Sequence, residues 1–424
     1  MNQNLYVRSK ETILRKEFFG GIAFNKKKAI TIELDEEGFY LLSILDKPIT
    51  IKNIALKLSS TFGRIFSFKE IQSNLELLQQ QGFIGNKPFS KSKGGPDNLP
   101  QLSSGSTFLS APETVHLSIT GKCNLHCAFC YGKSDTPDLS TAQIFSLIDE
   151  LSSMSVFQLA IGGGEPFLRK DIFKIINYCR QKNIVVNLTT NGALLTDFTA
   201  RNIKNKVGQV NLSYNEDPTG QFKRALDILL KNKINTGINL LITKDILSRL
   251  SLVIEEMLSY KIAKIIILRP KPCPNKNWYE KNRLTKSELL ELKRILNKYS
   301  QGINVDCSLT CLMHDISPEE LRENAVYGCV AGARFCTIRN NGDVYPCSFF
   351  STEEFCAGNV VDSGFGIIWQ KTQIFKKFRE MNRYTKGGCA SCRIRDYCKG
   401  CRSVILEAEQ DFYSQDKECP NEDS

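Results

Sequence analysis

Cys123, Cys127 and Cys130 stand in the run Cys-Asn-Leu-His-Cys-Ala-Phe-Cys-Tyr, a C-x3-C-x2-C spacing that gathers three thiols in one short loop. Thiolates suit soft iron–sulfur centres, and a four-iron cube held by only three cysteines keeps one iron open for another ligand. A zinc site completed by His126, or three unrelated buried cysteines, are the alternatives. Downstream lies Gly162-Gly163-Gly164-Glu165-Pro166. Glycines at such a place let a ligand approach the backbone, whose NH and C=O groups can pair with a small polar molecule. A third set closes the chain. Cys329 is followed by twelve residues, Gly342, four residues and Cys347, then by Cys389-x2-Cys392-x5-Cys398-x2-Cys401 and finally Cys419. Cys179 reads as helix core. Cys273, Cys307, Cys311 and Cys356 receive no role, although Cys307-x3-Cys311 is a spaced pair.

The periodicity around these residues sets where they sit. Val115–Ile119 reads as a strand immediately before the first cysteine loop, Ser140–Met154 as an amphipathic helix, and Val156–Ile161 as the strand that delivers the glycines. Helix and strand then alternate through Ile265–Leu268. About six β/α repeats imply a parallel sheet, with a partial barrel as its closure and chemistry at the carboxyl ends of its strands. Beyond about residue 300 the periodicity weakens while cysteines crowd together, so this region is expected to depend on bound metal to fold.

Residues 1–86 read differently. Ile22–Ile32 has two β-prone arms about Asn25 and Lys26, a hairpin pattern. Asp35, Thr50 and Ser67 can cap three helices, with Glu70 completing a capping box for the third and Gly82 ending it; Phe83-Ile84 returns as a strand. Hairpin plus three helices outlines a winged helix. Residues 87–113, rich in Gly, Pro, Ser and Lys, read as a linker between this unit and the sheet over 114–300, with the cysteine-rich part over 301–424.

Composition bounds the function classes. With 42% apolar and 24% charged residues, the 424-residue chain is globular and long enough for about three compact units. Sixteen cysteines against three histidines (His116, His126, His314) favour metal or iron–sulfur ligation over a disulfide framework, which belongs to short secreted chains. The start, MNQNLYVRSK, lacks a secretory apolar core, and no segment approaches a bilayer span, so a cytoplasmic protein with no membrane partner is expected. The net charge of +11 reads as solvated surface. The first 90 residues hold 13 basic and 9 acidic side chains, without the dense basic stripe of a DNA reader, so no nucleic-acid partner is expected.

Taken together, CxxxCxxC after a first strand and a GGEP-like motif after the second resemble the radical S-adenosylmethionine (SAM) superfamily over roughly 114–270. The resemblance implies a partial (β/α)6 barrel in which Cys123, Cys127 and Cys130 bind a 4Fe-4S cluster whose open iron chelates the amino and carboxylate groups of SAM. One electron then splits the sulfonium, giving methionine and a 5′-deoxyadenosyl radical that takes a hydrogen atom. It further implies Phe129 near adenine, Gly162, Gly163, Gly164 and Glu165 at the SAM amino group, and Ser213 and Asn215 at the ribose, where the run Leu-Ser-Tyr-Asn-Glu-Asp departs from the commoner pattern.

The C-terminal spacing resembles a SPASM domain, except that two residues rather than three separate Cys398 from Cys401. That likeness implies two auxiliary 4Fe-4S clusters, one on Cys329, Cys336, Cys347 and Cys401, the other on Cys389, Cys392, Cys398 and Cys419, making three clusters in all. A pair of structural zinc sites is the alternative.

The N-terminal unit resembles the RiPP recognition element, the peptide-binding winged helix of enzymes acting on ribosomally made precursors. The domain order implies a maturase that binds a precursor's leader through residues 1–86 and crosslinks its core, served by reduced flavodoxin or ferredoxin. A sactisynthase-like thioether from a core cysteine is the expected product, with a carbon–carbon crosslink, a sulfatase-maturase-like protein oxidase and an iron–sulfur DNA-binding sensor as alternatives. No catalytic base is legible.

Overall fold

The computed structural model describes residues 5–85, 107–132, 134–214, 220–299 and 301–421. It divides into two compact units, residues 1–111 with 151–157, and residues 112–150 with 158–424. No helix among the described residues is long and apolar enough to cross a membrane.

In the first unit, Thr12–Glu17, Gly20–Asn25 and Ile30–Leu34 form a three-stranded antiparallel sheet, followed by helices Glu36–Ser43, Ile51–Phe62 and Phe68–Gln81. The anticipated hairpin is present. Asn25 Oδ1 accepts the backbone NH groups of Lys27 and Lys28, which shapes its turn. Each cap also forms: Asp35, Thr50 and Ser67 accept the NH groups of Gly38, Asn53 and Glu70. The Glu70 carboxylate pairs with Arg64 at 2.8 Å. Leu42, Leu45, Ile54, Ile71, Leu75 and Phe83 form the core, each 1% exposed or less.

The same unit holds strands the sequence pattern hid. Leu5–Arg8 pairs antiparallel with both Ile49–Thr50 and Ile84–Gly85, and Thr12–Glu17 lies against the predicted hairpin. Thr12–Glu17 escapes notice because Arg15 and Glu17 are polar yet wholly buried, joined at 2.6 Å. An inward ion pair breaks the apolar alternation by which strands are read.

The second unit is built on a sheet of ten strands among the described residues. Thr114–Thr120, Gln158–Gly163, Val185–Thr190, Gln209–Ser213, Thr236–Leu241 and Lys264–Leu268 lie side by side in chain order, all parallel, with helices between them. These are the six expected repeats. Ile303–Val305 adds a short seventh parallel strand at one edge. At the other edge Phe335–Ile338 runs parallel to the first strand, and Asp343–Tyr345 and Gly358–Asn359 continue antiparallel. The sheet therefore remains open and receives strands of the cysteine-rich region on its first-strand side. That region also has an apolar core of its own, where the Phe350 ring lies 4.5 Å from Phe355 and 5.1 Å from Phe378, with Met381 and Phe412 beside them.

Candidate active site and cysteine clusters

The first barrel strand ends at Thr120, and the chain turns directly into the cysteine loop. Asp138 clamps this turn, accepting the Thr120 hydroxyl at 2.6 Å, the Gly121 NH at 2.9 Å and the Asn340 amide at 3.0 Å. Cys123, Cys127 and Cys130 follow, all partly exposed. Burial, and then the neighbouring Cys130 and Cys123 sulfurs, push the Cys127 thiol above its ordinary pKa. A cationic centre bound at such a loop would stabilise its sulfurs as thiolates. Cys123 Sγ is also approached by the Leu125 NH at 3.4 Å and by Asn191 Nδ2 at 3.9 Å.

The second strand ends in the three glycines, packed against this loop. Gly163 adopts φ +106°, and an added Cβ there would meet Thr120 O at 2.7 Å. At Gly164 a Cβ would fall 1.8 Å from Lys122 O, and at Gly162 2.9 Å from His116 Nε2. Only glycine permits two backbones to approach so closely. The Gly164 NH donates to Thr120 O and the Glu165 NH to Lys122 O, both at 2.8 Å, so the second motif is stitched to the first.

Glu165 is 1% exposed, and both its oxygens are engaged by the chain itself. Oε1 accepts the Thr190 hydroxyl at 2.9 Å and the Phe167 NH at 3.2 Å; Oε2 accepts the Asn191 NH at 3.0 Å. Burial raises its pKa, against the hydrogen bonds. Its direct work is thus to tie the second strand's end to the third's. Sequence reading missed Asn191, whose side chain reaches Cys123 and donates to Asn124 Oδ1 at 2.9 Å. Its position directly after the third strand was the available signal.

Phe129 is exposed, 5.4 Å from the Trp278 ring. Ser213 ends the fourth strand. Asn215 lies outside the described residues.

The C-terminal cysteines gather in two places. One recess is lined by Cys389, Cys392, Cys398 and Cys419, the anticipated second set, together with Cys311 and Asp416. A hydrogen bond from Cys311 draws the Cys419 thiol down to about 7, while that bond and burial push Cys311 up. In the other place Cys347 lies within electrostatic reach of Cys329 and Cys401, and burial raises it to about 12. Cys336 is wholly buried on strand Phe335–Ile338, paired alongside Val115, with Arg379 bearing on it. Cys307, whose thiol is pushed up by burial and then by Asp306, has Cys329 and Cys401 within electrostatic reach.

Comparisons with known proteins agree with this geometry. Residues 117–243 match the Radical SAM superfamily, and residues 329–393 match the SPASM iron–sulfur cluster-binding domain. The chain is a radical SAM enzyme. It is 29% identical over 333 residues to the mycofactocin maturase of Mycolicibacterium smegmatis, covering 73% of this chain and 83% of that protein. It is 25% identical over 343 residues to the AdoMet-dependent heme synthase of Methanosarcina barkeri, covering 73% of this chain and 96% of that protein. Among solved structures, SuiB of Streptococcus suis bound to its precursor peptide SuiA superposes with a TM-score of 0.72 at 19% identity, covering 98% of this chain and 100% of that one. The anSMEcpe protein with bound AdoMet superposes at 0.58 with 19% identity, covering 73% and 94%. The radical SAM fold thus lies over the six-repeat sheet, with the cysteine motif and the glycine motif at the mouths of adjacent strands.

Proposed function

We propose that this enzyme is a maturase of a ribosomally made precursor peptide, and that it forms an intramolecular thioether from a core cysteine. The observation that carries the reading is the N-terminal unit, a three-stranded antiparallel sheet of Thr12–Glu17, Gly20–Asn25 and Ile30–Leu34 followed by three helices. A sheet and helices of this kind suit strand addition by an extended leader, with the winged-helix unit acting as a RiPP recognition element. The fold likeness to SuiB, a protein solved with a precursor peptide, extends over this unit as well as the barrel. The mycofactocin maturase and heme synthase likenesses each cover 73% of the chain, so what separates them is the N-terminal unit, for which a heme-type substrate has no use.

In this reading Cys123, Cys127 and Cys130 hold the SAM-binding cluster, Gly162–Glu165 leave room for the SAM amino group, and Phe129 and Ser213 contact adenine and ribose. Bound SAM would supply a carbon radical able to take hydrogen from unactivated C–H bonds. The chain's own part is to orient the substrate and exclude water. Cys389, Cys392, Cys398 and Cys419 hold one auxiliary cluster; Cys329, Cys347, Cys401 and Cys307, in place of Cys336, hold the other. Reduced flavodoxin or ferredoxin delivers the electron.

The test is co-expression with the short peptide encoded beside the gene. A product lighter by two hydrogen atoms per crosslink, with its cysteine no longer alkylated, is expected. A lighter product with a free cysteine would assign a carbon–carbon bond instead. Unchanged peptide with cluster-loaded enzyme would overturn the maturase reading. Removal of residues 1–86 should abolish turnover of full-length precursor and spare SAM cleavage.

A further inference from the structure

Lys271 is a buried cation held between Asp306, which precedes Cys307, and Phe349, which follows Cys347, two of the four cysteines (Cys307, Cys329, Cys347 and Cys401) proposed above for the first auxiliary cluster. It follows the sixth barrel strand, its side chain is 7% exposed, and its ammonium pairs with the Asp306 carboxylate. Burying an ammonium costs several kcal/mol unless charge and hydrogen bonds compensate it. Asp306 compensates it in part, because its other oxygen accepts the Ser308 NH at 2.8 Å and the Ser308 hydroxyl, capping the segment that begins at Cys307. The remaining surroundings are sulfur and aromatic. Lys271 Nζ lies 4.5 Å from the centroid of Phe349, two residues past Cys347, and Phe349 in turn lies 4.4 Å from Tyr131, the neighbour of Cys130. Cys307, Cys401 and Cys347 all fall within electrostatic reach of the ammonium.

This burial has a chemical logic once the four thiols carry charge. With protonated thiols, Lys271 and Asp306 form a neutral pair without further purpose in a half-polar recess. With thiolates on an iron–sulfur core, the site bears net negative charge, grows more negative on reduction, and has Lys271 as its buried counter-charge. A fixed cation beside such a cluster favours the reduced state, since charge near the sulfurs is among the quantities that set its potential. We propose that Lys271 is the positioning and tuning residue of the first auxiliary cluster, its ammonium holding that cluster's reduction potential high enough to accept an electron. This rests on the assignment of a cluster to those four cysteines.

The experiment is an anaerobic EPR redox titration of the reconstituted full chain, compared with Lys271→Met and Lys271→Arg, with iron and sulfide measured on each. The first auxiliary signal is identified as the one lost in Cys347→Ala. In Lys271→Met we expect that signal's potential to fall, by at least a tenfold change in the reduced-to-oxidised ratio at fixed poise, or about 59 mV for one electron. The other two signals should be unmoved, and Lys271→Arg should restore most of the shift. Full iron with an unshifted potential in Lys271→Met overturns the proposal and leaves the cluster assignment standing. Wild-type protein with zinc, or no iron, at Cys347 overturns the assignment beneath it. If Lys271→Met fails to load, Asp306→Asn decides: it retains the cap and the cation and removes the anion, so the potential must rise, and an unchanged value refutes the role.

Discussion

Gly164→Ala isolates the contact between the two motifs. The backbone there has no left-handed φ, so the substitution adds one methyl and no conformational strain. That methyl would sit 1.8 Å from Lys122 O and 2.5 Å from Lys122 C, and the two segments must part by about 1.2 Å to reach even 3.0 Å. Lys122 O is the acceptor of the Glu165 NH at 2.8 Å, so parting stretches that bond beyond hydrogen-bonding distance. The lost bond costs about 1 kcal/mol, a small part of total stability. The larger cost is positional, because Lys122 directly precedes Cys123, and a shift of ~1 Å in a reacting group can cost ~10²-fold in rate. The expected result is a folded protein with 5′-deoxyadenosine formation reduced about 100-fold and the SAM-induced change in the cluster EPR spectrum weakened. Gly85→Ala, which meets nothing within 4 Å, should leave both intact. Wild-type deoxyadenosine formation by Gly164→Ala would refute the claim that close backbone approach builds this site.

Other substitutions test the remaining assignments. Cys307→Ala should lower iron by about four atoms per chain while Cys336→Ala leaves it unchanged, a difference that iron analysis reads directly. Arg269→Met strands the buried Asp416, a partner at 3.2 Å, and leaves Glu418, a partner at 2.6 Å, to Arg283 alone; it should cost ~3 kcal/mol, lowering the melting temperature by roughly 10 °C. His116 is held neutral, pushed down to about 4 by burial and then by Arg339. The unfolded chain binds this proton below about 6.5 and the folded chain does not, so stability is complete above that pH and declines as pH falls toward 4, by at most ~3 kcal/mol. Melting curves of His116→Gln across that window should show a flatter acid side.

What the sequence disclosed and what it hid divide along contact range. Caps at Asp35, Thr50 and Ser67, the αL glycine Gly82, and the strand-then-motif order around Cys123 and Gly162 are local, and each was legible. Features decided by distant partners were not. Strand Thr12–Glu17 is disguised by the inward Arg15–Glu17 pair, and the short strands Ile303–Val305 and Phe335–Ile338 join a sheet whose other members lie far away in the chain. The same limit applies to Cys307: spacing reports which cysteines are near in sequence, and its reach to Cys329 and Cys401 is set by the fold. Asn191 and Lys271, which belong to no cysteine motif, became visible only through their neighbours.

One short segment, Arg269-Pro270-Lys271-Pro272-Cys273, shows how the fold coordinates the sulfur groups. Prolines at alternate positions fix φ near −65° and favour extended backbone at the residues before them, so side chains two apart can share a side. Arg269 engages Asp416 and Glu418 beside Cys419 and lies within reach of Cys311 and Cys401. Lys271 faces Cys307 and Cys347, and Cys273 reaches Ala128 O at 3.9 Å, inside the first cysteine loop. Successive odd residues of one stiff connector thus address all three sulfur groups in turn. The sixth barrel strand therefore launches a segment whose side chains reach the C-terminal cysteines as well as the first cysteine loop.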